Sequence, residues 1–321
     1  QDRLERHAVT LAGLYGLAPD PVRGRPLLPR LDQSAQELDD AYRFLSTAVT
    51  KDAPAVGYRK FILDEDKQIQ DQVREIRQDL PRHYYLELPK LADGPSAGYP
   101  RVYAFARELI THTAGRLDLQ TLVDFATAYQ RAAPLTIGEI WAIPIMLRLG
   151  LVEELRRLAA DVVSARRSRD RARAWGVQLS AGDQAPERLI EQTLGHEAEA
   201  SGRLSAAFVV ELLHWLRDQP SSAAPAWHAL QRALEGQWDS AEEMLRAEHQ
   251  REAAGQLAIG NIITTMRLLS SIDWPLFFER VSLVEQVLRE DPAGAYARMD
   301  PPTRAPPPPP PAPPPPPPGA P

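Results

Sequence analysis

Residues 134–150, PLTIGEIWAIPIMLRLG, constrain this chain more than any other stretch. From Ile140 to Leu147 no residue is polar, and Glu139 and Arg148 bound the run. A membrane-spanning helix needs roughly 20 mostly apolar residues, whereas this run makes only about two helical turns. The stretch therefore predicts a helix buried on all sides at the centre of a soluble fold. Thr136 and Glu139 form a T-x-x-E capping box: the hydroxyl accepts from the third helical amide, and the carboxylate reaches back. Ile140, Trp141, Ile145 and Leu149 are the expected core residues of this helix. Pro144 lacks an amide hydrogen and crowds the carbonyl four residues earlier, so a kink is expected there. The helix runs on through LVEELRRLAADVVSARRSRDRARAW, where Leu151, Val152, Leu155, Leu158 and Val162 keep helical spacing.

The rest of the chain has the same period. Leu38, Tyr42, Leu45 and Val49 mark a helix over 34–49, and Ile69, Val73, Ile76 and Leu80 mark one over 67–80, ended by Pro81. Further helices are predicted over 100–113 after Pro100, 118–133 from an Asp118 cap, 186–200, 204–218, 223–235, 239–255, 258–271 and 274–290 from an Asp273 cap. No sustained period-two alternation and no Asn-Gly hairpin signal occurs. The fold expected is all-α, an array of stacked helical hairpins around the proline-kinked helix, forming one domain over 1–299. Residues 300–321 are nearly all proline, which permits only an extended or disordered tail.

Composition narrows the chemistry. There is no cysteine among the 321 residues, which excludes disulfides, a thiolate nucleophile and cysteine–zinc sites. The net charge of −6 is no footprint for nucleic acid. The N-terminal QDRLERHAVTLAGLYGL lacks the apolar segment of a signal peptide. A start at Gln1 instead of methionine is expected of a fragment or processed piece.

Site motifs are sparse. No glycine-rich phosphate loop and no H-E-x-x-H occurs. The seven histidines are scattered, among them His83, His112 and His214, and read as structural, with no second ligand at metal spacing. Neither catalytic nor metal-binding residues nor a cofactor site are expected. Between Arg156 and Arg173 stand seven arginines and two aspartates. Arg166, Arg167, Arg169, Arg171 and Arg173 are either a contact for anionic headgroups or phosphate, or a solvated helix face paired with acidic neighbours. Trp141, Trp215, Trp227, Trp238 and Trp274 read as core, with stacking on sugar rings the alternative.

Two long stretches carry a resemblance. DLPRHYYLELPKLADGPSAGYPRVYAFARELITHTAGRLD with AYQRAAPLTIGEIWAIPIMLRLGLVEELRRLA, and later GNIITTMRLLSSIDWPLFFERVSLVEQVLREDPAGAYARMD, resemble the N-terminal region of bacterial cyclic β-1,2-glucan synthetases. RGRPLLPRL fits as well, so the likeness covers roughly residues 20–300.

The resemblance implies a large inner-membrane parent enzyme. Its soluble N-terminal region precedes a membrane-embedded transferase that polymerises glucose from UDP-glucose, then glucanase-like and phosphorylase-like domains. None of that family's catalytic residues has a counterpart here. The expectation is a non-catalytic accessory or scaffolding domain on the cytoplasmic face of the inner membrane, partnered by the transferase and membrane segments, with membrane-surface contact. The alternative is a free-standing helical protein that binds carbohydrate or nucleotide sugar. After AYARMD the chain keeps Thr303–Arg304 and then turns to proline where the family continues into a charged helix, so truncation or a shifted frame is expected there.

Overall fold

The computed structural model describes residues 2–19, 24–47, 66–181, 205–217, 228, 230, 232 and 241–290. Its helices are α1 (Asp2–Leu14), α2 (Leu28–Thr47), α3 (Asp66–Asp79), α4 (Arg82–Glu87), α5 (Arg101–His112) and α6 (Leu119–Ala132). There follow α7 (Ile137–Ala181), α8 (Ala206–Arg217), α9 (Ala241–Ser271), α10 (Trp274–Val281) and α11 (Leu283–Arg289). Among the described residues there is no strand, only the isolated bridges Leu17–Leu91 and Lys90–Pro100. The class is all-α. The helix expected over 186–200, most of that over 223–235 and the 300–321 tail lie outside the described residues.

The sequence predicts one domain over 1–299, and the structure divides into two compact units. The first comprises residues 1–36, 65–154 and 261–321, and the second residues 37–64 and 155–260. Three of the four boundaries fall inside α2, α7 and α9, where helical periodicity continues and no linker composition marks them.

In the first unit α5 buries Val102, Tyr103, Phe105, Ala106, Leu109 and Ile110. Phe105 meets Phe125 and Tyr129 of α6 edge-on, with ring centroids 4.8 and 5.3 Å apart, an arrangement that adds to plain area burial. Helix α1 lies along α6 and buries Ala8 and Leu11. Helix α7 begins one residue after Thr136 and is buried without interruption from Ala142 to Glu153, with Pro144 inside it. The α5–α6 turn passes through Gly115 at φ 76°, where a Cβ would stand 2.5 Å from Ile262 Cγ1 of α9. Glycine is needed there both for the left-handed backbone and for the close approach. Thr265 of α9 then donates to the Gly115 carbonyl at 2.7 Å and accepts from the Leu117 amide at 3.1 Å.

The second unit has its own core. Ala172 of α7, Phe208, Val209, Leu212, Leu213 and Leu216 of α8, Met244 of α9, and Leu230 are buried together, with Trp175 and Trp215 packed at the edge.

Several boundaries differ from the sequence reading. Residues 241–271 form one helix and not two. Gly255 and Gly260 each cost a helix interior only about 1 kcal/mol, and the buried Ile259, Ile262, Ile263 and Met266 carry it through. Conversely, 274–290 is two short helices: Ser282 ends one and caps the next through its hydroxyl, which accepts from the Glu285 amide. Helices α1 and α4 were not foreseen.

Candidate functional site

The first turn of α7 is built as the sequence motif requires. Glu139 donates its amide to the Thr136 hydroxyl at 3.2 Å, and Glu139 Oε2 accepts from the Thr136 amide at 2.8 Å. The same carboxylate is wholly buried and receives Arg101 from the start of α5, Nε at 2.5 Å and a terminal nitrogen at 2.7 Å. Burial works against the Arg101 cation, but the hydrogen bonds and charge of Glu139 outweigh it and raise its pKa. Arg101 also donates to the Pro134 carbonyl at 2.7 Å, so the pair locks the loop before α7 as well.

Four turns further along α7, Glu153 repeats the arrangement with other partners. It accepts from Arg30 of α2 at 2.8 Å and from the Tyr103 hydroxyl at 2.6 Å. Burial, then the Glu153 charge, raises the Tyr103 pKa. In both buried carboxylates each oxygen accepts from a protein donor. These hydrogen bonds tie α7 to the start of α5 and to α2.

Of the expected core residues, Ile140, Ile145 and Leu149 are buried. Trp141 is only half-buried, and its ring stacks on Phe278 of α10 with centroids 4.9 Å apart and planes 22° from parallel. Trp274 donates its indole N–H to the Leu269 carbonyl at 3.1 Å. Trp227 and Trp238 lie outside the described residues.

The five arginines from Arg166 to Arg173 of α7 lie within the second unit. Arg166 is buried and grips Asp170 at 3.0 and 3.1 Å, while Arg173 donates to Glu211 at 2.6 Å. Arg169 pairs with Glu252 of α9, Arg167 lies over the Phe44 ring at 5.0 Å, and Arg171 donates to Ser168 at 3.3 Å. Arg167 and Arg171 remain exposed. Pairing with acidic neighbours thus accounts for Arg166, Arg169 and Arg173.

Sequence reasoning missed one constellation. His7 of α1 and Glu108 and His112 of α5 come together with all their ligand atoms within 4.8 Å of one another. Glu108 Oε2 stands 3.2 Å from His7 Nε2 and 3.7 Å from His112 Nε2, and the two imidazole centroids are 3.7 Å apart. Burial first, then the neighbouring His7, lowers the His112 pKa against the pull of Glu108. The cluster opens into a shallow cleft of about 690 Å³ lined also by Arg3, Leu4, Arg6 and Thr10. Glu108 and His112 stand one helical turn apart, a signal present in the sequence, whereas His7 is 101 residues from Glu108.

No helix among the described residues is long and apolar enough to cross a membrane, α7 included. No family model matches the chain. It is, however, 32% identical over 270 residues to the cyclic beta-(1,2)-glucan synthase NdvB of Rhizobium meliloti (strain 1021). The chain is a relative of the cyclic β-(1,2)-glucan synthases. The alignment takes in 84% of this chain and 9% of that synthase, so the chain spans under a tenth of its relative's length. The resemblance read from residues 79–118, 128–159 and 260–300 is borne out at the level of family. The buried pair Arg101–Glu139 and the Trp141–Phe278 stack lie within those stretches, so the synthase-like sequence is also the centre of the first unit.

Proposed function

We propose that this chain is a non-catalytic scaffolding domain of a cyclic β-1,2-glucan synthase whose other parts polymerise glucose from UDP-glucose. The observation that supports it is that Glu139 and Glu153, both in the synthase-like stretches, have each carboxylate oxygen engaged by a protein donor from another helix. These two buried acids of the first unit are engaged in holding helices together. The partners are then the transferase and membrane segments of the same enzyme, and the site of action is the cytoplasmic face of the inner membrane.

The test supplies this chain to membranes containing a synthase from which the matching 270 residues have been deleted. UDP-glucose consumption is measured for each part alone and for the mixture. Glucan synthesis restored only in the mixture supports scaffolding. Release of UDP by the chain alone overturns it, as does binding of UDP-glucose by the isolated chain with no effect on the membranes, which is the behaviour of a free-standing sugar-nucleotide binder.

A further inference from the structure

We propose that His7, Glu108 and His112 form a binding site for a borderline divalent cation, Zn²⁺ in the first instance, that clips α1 to α5. Ligand atoms bonded to a tetrahedral zinc at about 2.0–2.1 Å stand about 3.3 Å from one another. The Nε2–Oε2 separations of 3.2 and 3.7 Å bracket that value. Two imidazoles and one carboxylate form a donor set that binds zinc and leaves a fourth position open. Here the fourth position faces the cleft lined by Arg3, Arg6 and Thr10.

The elements present the donors for reasons visible in the chain. Glu108 and His112 are four residues apart on α5, so both project from one helical face. His7 is brought opposite them because α1 is fixed along α6 by the buried Ala8 and Leu11. The His7 ring also rests near Phe125, with centroids 6.4 Å apart, which limits its swing. The imidazoles are tilted by 49° with centroids 3.7 Å apart, so metal binding requires the two rings to turn and separate until both Nε2 atoms aim at one point. One carboxylate between two rings balances at most one proton, whereas a dication satisfies all three groups at once. Arg3 and Arg6 on the rim repel the dication and favour an anion as the fourth ligand. The site is therefore exchangeable and is emptied by chelators.

This site does not depend on the scaffolding role, and its test does not involve glucan synthesis. The metal-free, tag-free 321-residue chain is titrated with Co²⁺, whose visible absorption reports tetrahedral coordination, and then with Zn²⁺ as competitor. The expected result is one Co²⁺ per chain, displaced by Zn²⁺. At a hundredfold excess over the dissociation constant, Zn²⁺ should raise the melting temperature by roughly 3–8 °C. His7→Ala and His112→Ala should each weaken binding at least about 10-fold. Glu108→Gln, which keeps side-chain volume at a half-exposed position, should do the same with unchanged circular dichroism. His214→Ala, at an exposed histidine of α8, should bind like the parent. Absence of stoichiometric binding by the parent overturns the proposal, as does retention of parental affinity in Glu108→Gln or His112→Ala.

Discussion

Arg101 holds both carboxylate oxygens of Glu139, at 2.5 and 2.7 Å, while Glu139 also closes the capping box of its own helix with Thr136. One buried acid thereby fixes where α7 starts and where α5 meets it. Removing either partner leaves an uncompensated charge in the core. Glu139→Ala and Arg101→Ala should each cost about 3–5 kcal/mol, measured by urea denaturation. The double variant should cost clearly less than the sum, because no orphaned charge remains. Additive losses would mean that the pair is not coupled.

The capping half of the motif is separable. Thr136→Ala removes the hydroxyl that accepts from the Glu139 amide and should cost about 1 kcal/mol. Thr136→Ser should restore most of it in the same denaturation assay.

Trp141 is half-buried, but its stack on Phe278 joins α7 to α10. Trp141→Ala should cost about 3 kcal/mol, toward the low end for a large core aromatic. A double-mutant cycle with Phe278→Ala should return a coupling of about 0.5–1.5 kcal/mol. Zero coupling would show that the rings are not in contact in solution.

Gly115→Ala should be destabilising on two grounds, a left-handed φ of 76° and a Cβ placed 2.5 Å from Ile262 Cγ1. The backbone term is about 1–2 kcal/mol and the overpacking term about 1–3 kcal/mol. Adding Ile262→Ala should relieve only the second, so thermal melts of the double variant should not show the backbone strain removed.

Asp118 caps α6, accepting from the Thr121 amide at 2.7 Å, and that hydrogen bond is the main reason its pKa lies below the usual aspartate range. A depressed folded pKa means stabilisation that is full above the unfolded value of about 3.9 and is lost as pH falls through the folded pKa. Asp118→Ala should therefore be about 1 kcal/mol less stable than the parent near neutral pH. The gap should close below about pH 4. A gap that stays constant to acid pH would assign the effect to something other than the carboxylate.

Local chemistry was legible in the sequence, and long-range pairing was not. The Thr136–Glu139 box and the Asp118 and Asp273 caps are written within four residues of one another, and the structure forms all three. Helix α1 escaped notice because only Ala8 and Leu11 of its thirteen residues are buried, too narrow an apolar stripe to stand out. Its omission hid His7, and without His7 the Glu108–His112 pair reads as an ordinary exposed helix face. Arg101 looks like one more surface arginine after a proline until α7 delivers Glu139 from 38 residues away. The break expected between 255 and 258 is absent because a buried isoleucine face carries one helix through Gly255 and Gly260.

The first unit is interrupted in sequence by the whole of residues 155–260. Its α5–α6 turn waits for Thr265, 150 residues after Gly115, and Gln130 waits for the carbonyl of Val281, 151 residues on, to which it donates at 2.8 Å. On the ribosome, every segment of the second unit has been synthesised before the first unit receives its last helices. Domains tend to fold as they emerge, so here the inserted unit is the one free to close early. The parts of α6 and α7 that meet Val281 and Phe278 stay uncovered until those residues are made. Translation that stops anywhere before Val281 leaves the first unit open, however complete the second has become.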